Sequence, residues 1–272
     1  MLGSPVLLVY LLAVSVGITL MTPLISRDPL REGFFSFMVG ISLATGGIAL
    51  GILFWNRSQT SGEGYFPVAV SSLIVSGVYL GLLIVRYAVM YANSKVLREA
   101  ALWLAIGAGL VLILPLVSSL APDPGRVGAQ QLNVLFSAAV LGSISHALIL
   151  GHWYLVTPKL TLAPLVRMNR STLAFLYARC VWILGALAIL WNAEPVAGRY
   201  LALNLFSGLG FLFMARVALG LVFPIALHHM TEAPLSQADT QPATGLLYVS
   251  SLFIVGCELA AIALSWRSGI PV

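Results

Sequence analysis

The residues of this chain that could do chemistry are ionisable side chains set inside long apolar runs. Four stand out: His146 in "LGSISHALIL", Arg179 in "FLYARCVW", Arg216 in "LFMARVAL" and Glu258 in "VGCELAAI". A charge at the centre of a bilayer is costly unless it is paired, so such groups face the protein interior and mark functional sites. Arginines stabilise negative charge that develops on a bound group. A histidine and a glutamate can exchange protons with it. Two arginines against one carboxylate leave a surplus cation, which suits a quinone oxygen, a haem propionate or an anionic substrate. The plainer alternative is an interhelical Glu258–Arg216 ion pair that only fixes packing.

The histidines divide between two levels. His146 and His152 are six residues apart, about 120° and about 9 Å on a helix, so they do not grip one ion together. His152 is expected to approach His228 or His229 near the cytoplasmic surface, with His146 in the deeper set. A b-type haem takes an axial histidine from each of two facing helices, and His146 or His152 with His228 would serve, His229 being the neighbouring candidate. The four-histidine ladder of a two-haem cytochrome b is absent. Imidazoles also suit Zn or Cu, but His152, His228, His229 and Glu232 form a weak set because two of them are adjacent. An ordinary interfacial loop is the simpler reading. Cys180 and Cys257 lie inside apolar runs without CxxC spacing, and neither CxxCH nor a Walker A loop occurs.

These side chains need elements to hold them, and composition decides which. The 272 residues are 60% hydrophobic and 8% charged, with a mean hydropathy of +0.99. Soluble domains are about a quarter charged. The fold class is therefore an all-α integral membrane protein, a bundle of about eight transmembrane helices with no soluble domain. Runs of roughly 20 apolar residues cross the hydrocarbon, and they fall approximately at 5–24, 33–55, 66–91, 97–118, 131–156, 171–192, 200–227 and 244–266. The runs are too long and too uniformly apolar for barrel strands. One polytopic domain covers 1–272. The first run lacks a basic leader and is expected to be retained.

Connections are short and rich in Pro, Gly and Ser, "HHMTEAPLSQADTQPATG" being the longest polar one. A four-plus-four division is conceivable, with helices 1–4 poorer in polar groups than helices 5–8. The 25 glycines imply close helix approach. Pro115 and Pro224 fall near expected helix ends. Asn133, Gln130 and Gln131 in helix 5, with Asn204 and Ser207 in helix 7, line an entrance or make interhelical hydrogen bonds.

Basic residues orient the bundle. Arg27, Arg31, Arg86, Lys95, Arg98, Lys159, Arg167 and Arg170 lie on one side; Arg57, Arg126, Arg199 and Arg267 lie on the other. The bias predicts a multi-pass protein of the inner (cytoplasmic) membrane with both termini outside the cytoplasm. Counting along the expected helices places His146, Arg179, Arg216 and Glu258 in one band, roughly 12 to 21 Å from the cytoplasmic boundary. The reading is a membrane subunit of a respiratory-type electron-transfer complex, with a quinone or haem within helices 5–8. Its partners would be the lipid bilayer and membrane or peripheral redox subunits, not nucleic acid. A proton-coupled transporter and a structural or assembly subunit are the alternatives.

Overall fold

The computed structural model describes residues 5–25, 32–58, 68–92, 94–157, 160–193, 203 and 210–272, with only the backbone of Leu190 and Ala193. Eight long helices occur among the described residues: α1 (Pro5–Met21), α2 (Glu32–Ser58), α3 (Val70–Ala88), α4 (Lys95–Leu120), α5 (Val127–Val156), α6 (Ala163–Ala193), α7 (Gly210–Ser236) and α8 (Thr240–Ser268). Each contains or lies within a stretch long and apolar enough to cross a membrane. No strand occurs among the described residues. The protein is an all-α membrane bundle.

Two helices extend well beyond their apolar runs. α6 begins at Ala163 and so includes Arg167, Asn169 and Arg170, eight residues ahead of the expected start. α7 continues through His228, His229 and Glu232 to Ser236. The long polar connection expected between helices 7 and 8 is therefore mostly helix, and only Gln237–Asp239 separates the two. Hydropathy detects the part of a helix that lies in hydrocarbon, not the turns that project beyond it. Ala238 makes the tight reversal at φ 57, and the Asp239 side chain caps α8 by accepting from Gln241 N at 3.3 Å. The expected start of helix 7 near 200, with Asn204 and Ser207, lies outside the described residues.

The helices form two rings. α1, α2, α3 and α4 pack in sequence, and α4 returns to α1; α5, α6, α7 and α8 do the same, with α8 returning to α5. The rings meet chiefly where α1 crosses α5, with α1–α8 and α4–α5 contacts beside it. The crossing is close because both helices offer glycine. A Cβ on Gly17 would stand 2.0 Å from the Ala138 carbonyl oxygen, and one on Gly142 would stand 2.1 Å from that of Gly17. Buried Ala13 and Ala138 precede these glycines by four residues, the small-residue spacing that lets membrane helices approach.

The first ring encloses a neutral hydroxyl cluster. Ser15 Oγ donates to the Ser42 carbonyl at 2.7 Å. The Tyr79 hydroxyl lies 3.0 Å from both Ser15 Oγ and Thr19 Oγ1. All four residues are fully buried.

In α7 the backbone widens to a π turn over Ala218–Val222, followed at once by Pro224. A proline has no N–H for the carbonyl four residues before it, and here that carbonyl belongs to Gly220. Because α7 runs on to Ser236, Pro224 is internal to the helix rather than near its end. Pro115, five residues before the end of α4, fits the expectation.

Candidate functional site

The second ring closes around charge. α5 presents Asn133 and Ser137, one turn apart on one face. α6 supplies Arg179, α7 supplies Arg216 and α8 supplies Glu258. All five are 0% exposed. Glu258 lies between the guanidiniums: Arg216 Nη2 donates to Oε1 at 2.5 Å, and Arg179 Nη2 reaches Oε2 at 3.5 Å. Arg179 is held further by α5. Its Nη1 donates to the Asn133 carbonyl at 2.9 Å and to Asn133 Oδ1 at 2.6 Å, and its Nη2 donates to Ser137 Oγ at 3.1 Å.

Arg216 depends on the proline that follows it. Its Nη1 lies 3.5 Å from the Gly220 carbonyl oxygen, the acceptor that Pro224 leaves open. Gly220 must also lack a side chain, since a Cβ there would stand 2.5 Å from Cys257 Cβ and 2.9 Å from Arg216 Nη1. π turns occur often at functional sites. Here the turn accompanies an arginine aimed at the neighbouring helix.

Among the described residues Glu258 is the one acidic side chain paired with these two guanidiniums, so the triad by itself carries one surplus positive charge. Asn133 and Ser137 give hydrogen bonds to Arg179 but no charge. Arg179 Nε and Arg216 Nε have no acceptor among the described residues. The polar contacts continue toward the end of α8: Asn133 Nδ2 donates to Ser265 Oγ at 3.0 Å, and Val272 N donates to the same oxygen at 3.1 Å.

Beside this site a groove of about 760 Å³ runs between α5 and α6. Its lining includes Phe136, Ala178, Trp182 and Gly185, with Arg126 and Pro271 toward one end. Phe136 and Trp182 rings pack with centroids 5.5 Å apart.

The structure brings Arg179, Arg216 and Glu258 together and sets His146 apart. At 1.5 Å per residue the triad lies about 24 to 30 Å from the Ala163, Ser236 and Thr240 helix ends, while His146 lies about 15 Å from Val156. The expected common band fails for His146 because α6 and α7 overshoot their apolar runs, which moves both arginines away from that end. The His146 ring packs 6.3 Å from Phe34 of α2, and its Nδ1 is 2.8 Å from the Gly142 carbonyl.

The other histidines each have a separate partner. His228 is fully buried; its Nδ1 lies 2.7 Å from Asn169 Oδ1, while Asn169 Nδ2 donates to the His228 carbonyl at 3.1 Å. His229 Nε2 lies 2.8 Å from the Tyr177 hydroxyl, and His152 Nδ1 lies 3.1 Å from that of Tyr248. The expected approach of His152 to His228 or His229 is thus replaced by a contact with α8. Glu232 faces Arg170 at 3.7 Å. Among the described residues no three His, Cys, Asp or Glu side chains gather as metal ligands would.

Sequence reasoning missed Ser137 and Gly220, and placed Pro224 near a helix end rather than beside Arg216. The Asn133–Ser137 spacing of four and the Gly220–Pro224 spacing of four were the available signals, each leaving a polar group on one face of an apolar helix. Comparison with protein-family models, with curated proteins and with solved structures finds no match to this chain.

Proposed function

We propose that this protein is a quinone-handling membrane subunit of an electron-transfer complex. The observation that carries the reading is the surplus buried cation of the Arg179–Glu258–Arg216 triad beside an apolar groove that shares its helix turns. Reduction of a quinone takes two electrons, supplied here by a partner redox protein, and two protons. Arg179 stabilises the negative charge that builds on the quinone oxygen, Glu258 holds both guanidiniums in place as their counter-charge, and the two protons come from water. The chain lies in the cytoplasmic membrane with both termini outside, following its basic residues.

The test is to purify the protein gently and assay its lipid extract for quinone. A near-equimolar quinone, lost in Arg179→Gln but kept in Tyr79→Phe, is the expected result. An extract without quinone overturns the proposal.

A haem reading has one observation behind it. A carbonyl oxygen only accepts, so His146 Nδ1 is the donor to Gly142 and Nε2 carries the lone pair. The Asn169 amide is oriented by its own donation to the His228 carbonyl, so His228 Nδ1 donates to Oδ1 in the same way. Both Nε2 atoms are buried without a partner among the described residues, the arrangement that metal-ligating imidazoles adopt. A reduced-minus-oxidised visible spectrum decides this reading: an α-band that vanishes in His146→Ala or His228→Ala supports it, and a featureless spectrum removes it.

A further inference from the structure

We propose that the groove between α5 and α6 holds the prenyl tail of the quinone, with the quinone ring lodged against Phe136 and Trp182. This inference rests on the quinone reading above. Apart from Arg126, the groove is lined by apolar and small residues. Its volume of about 760 Å³ lies within the range of roughly 300–1,000 Å³ usual for ligand sites. Its flank is open to the bilayer, since Val181 and Ile189, both lining residues, are 70% and 69% exposed. A hydrocarbon chain enters such a groove sideways from the membrane.

The inner end identifies what the chain is attached to. Phe136 directly precedes Ser137, and Ala178 directly precedes Arg179, so the groove and the triad share two helix turns. Trp182 and Phe136 line the groove with ring centroids 5.5 Å apart, an aromatic wall against which a quinone ring stacks. The other end does not favour a phospholipid. Its cation, Arg126, already faces Asp123 at 3.2 Å, so its charge is met before a phosphate arrives.

Gly185 provides the test, because a Cβ there meets nothing within 4 Å. Gly185→Phe carries a phenyl ring into the groove from a position with open space at its Cβ, more than a turn along α6 from Arg179. The purified full chain is titrated with a benzoquinone carrying a prenyl tail and with the same ring lacking it, binding being read from tryptophan fluorescence. The wild type is expected to prefer the tailed compound at least about tenfold, from apolar burial. Gly185→Phe should lose that preference and keep its affinity for the bare ring, while Gly185→Ala behaves as wild type. If Gly185→Phe retains the preference, the groove inference is overturned while the quinone reading stands. If the wild type binds neither compound, the quinone reading fails and the groove inference with it. If mass spectrometry shows a phospholipid displaced by Gly185→Phe with tailed-quinone binding unchanged, the groove is a lipid site and the inference is overturned.

Discussion

The two rings solve the same packing problem with opposite chemistry. In the first, Ser15, Thr19, Ser42 and Tyr79 fill the centre with neutral hydroxyls at hydrogen-bond distance. In the second, α5, α6, α7 and α8 bring together an amide, a hydroxyl, two guanidiniums and a carboxylate. Positions correspond: α3 contributes Tyr79 where α7 contributes Arg216, and α1 contributes Ser15 and Thr19 where α5 contributes Asn133 and Ser137. The neutral cluster joins α1, α2 and α3, while the buried Arg86, near the end of α3, reaches Thr22. The second ring instead sets an ion triad from three helices at its centre, which is why function is placed there.

The comparison is broken most severely at Glu258. Glu258→Gln leaves two guanidiniums buried without a counter-charge, and breaking a buried ion pair costs about 3–5 kcal/mol. Reversible unfolding in mixed micelles should show that loss, whereas a triple Arg179→Met, Arg216→Met, Glu258→Leu variant should recover most of it without quinone. Full stability of Glu258→Gln would mean that the second ring does not depend on its charge. Next comes the seam shared by the rings. Gly142→Leu forces a side chain onto the Gly17 backbone, and overpacking of this kind costs about 1–3 kcal/mol; Gly51→Leu, whose Cβ meets nothing within 4 Å, should be close to neutral.

In the first ring, Tyr79→Phe removes one neutral hydroxyl and should cost only about 1 kcal/mol by the same unfolding measurement. A loss as large as that of Glu258→Gln would erase the distinction between the rings. The smallest effect is expected for Glu232→Gln. Its pair with Arg170 is exposed on both sides, at 45% and 70%, and such pairs contribute about 0–1 kcal/mol. A melting curve indistinguishable from wild type is the expected result.

The eight membrane passages were legible because bilayer thickness enforces long apolar runs. A four-plus-four division was suggested by the polar groups gathered in helices 5–8, but the seam between the rings was not legible, since α1 and α5 meet through Gly17 and Gly142, and the sequence has many glycines that touch nothing. The meeting of Arg179, Arg216 and Glu258 was legible from the cost of isolated charges in hydrocarbon. The separation of His146 was not. It depends on where α6 and α7 end, and polar turns such as Arg167–Arg170 and His228–Glu232 look alike in a sequence whether they continue a helix or leave it.

The triad also imposes an order on biogenesis. Arg179 is synthesised 79 residues before Glu258, so α6 enters the bilayer while its carboxylate does not yet exist. An arginine at a helix centre is opposed by about 2.5–3.5 kcal/mol at the translocon. Asn133 and Ser137 are made 46 and 42 residues before Arg179, and they wait in the preceding helix as its first partners. Replacing both with alanine should impair insertion of α6 in nascent chains truncated before Glu258, a defect that arises during synthesis rather than in the finished fold.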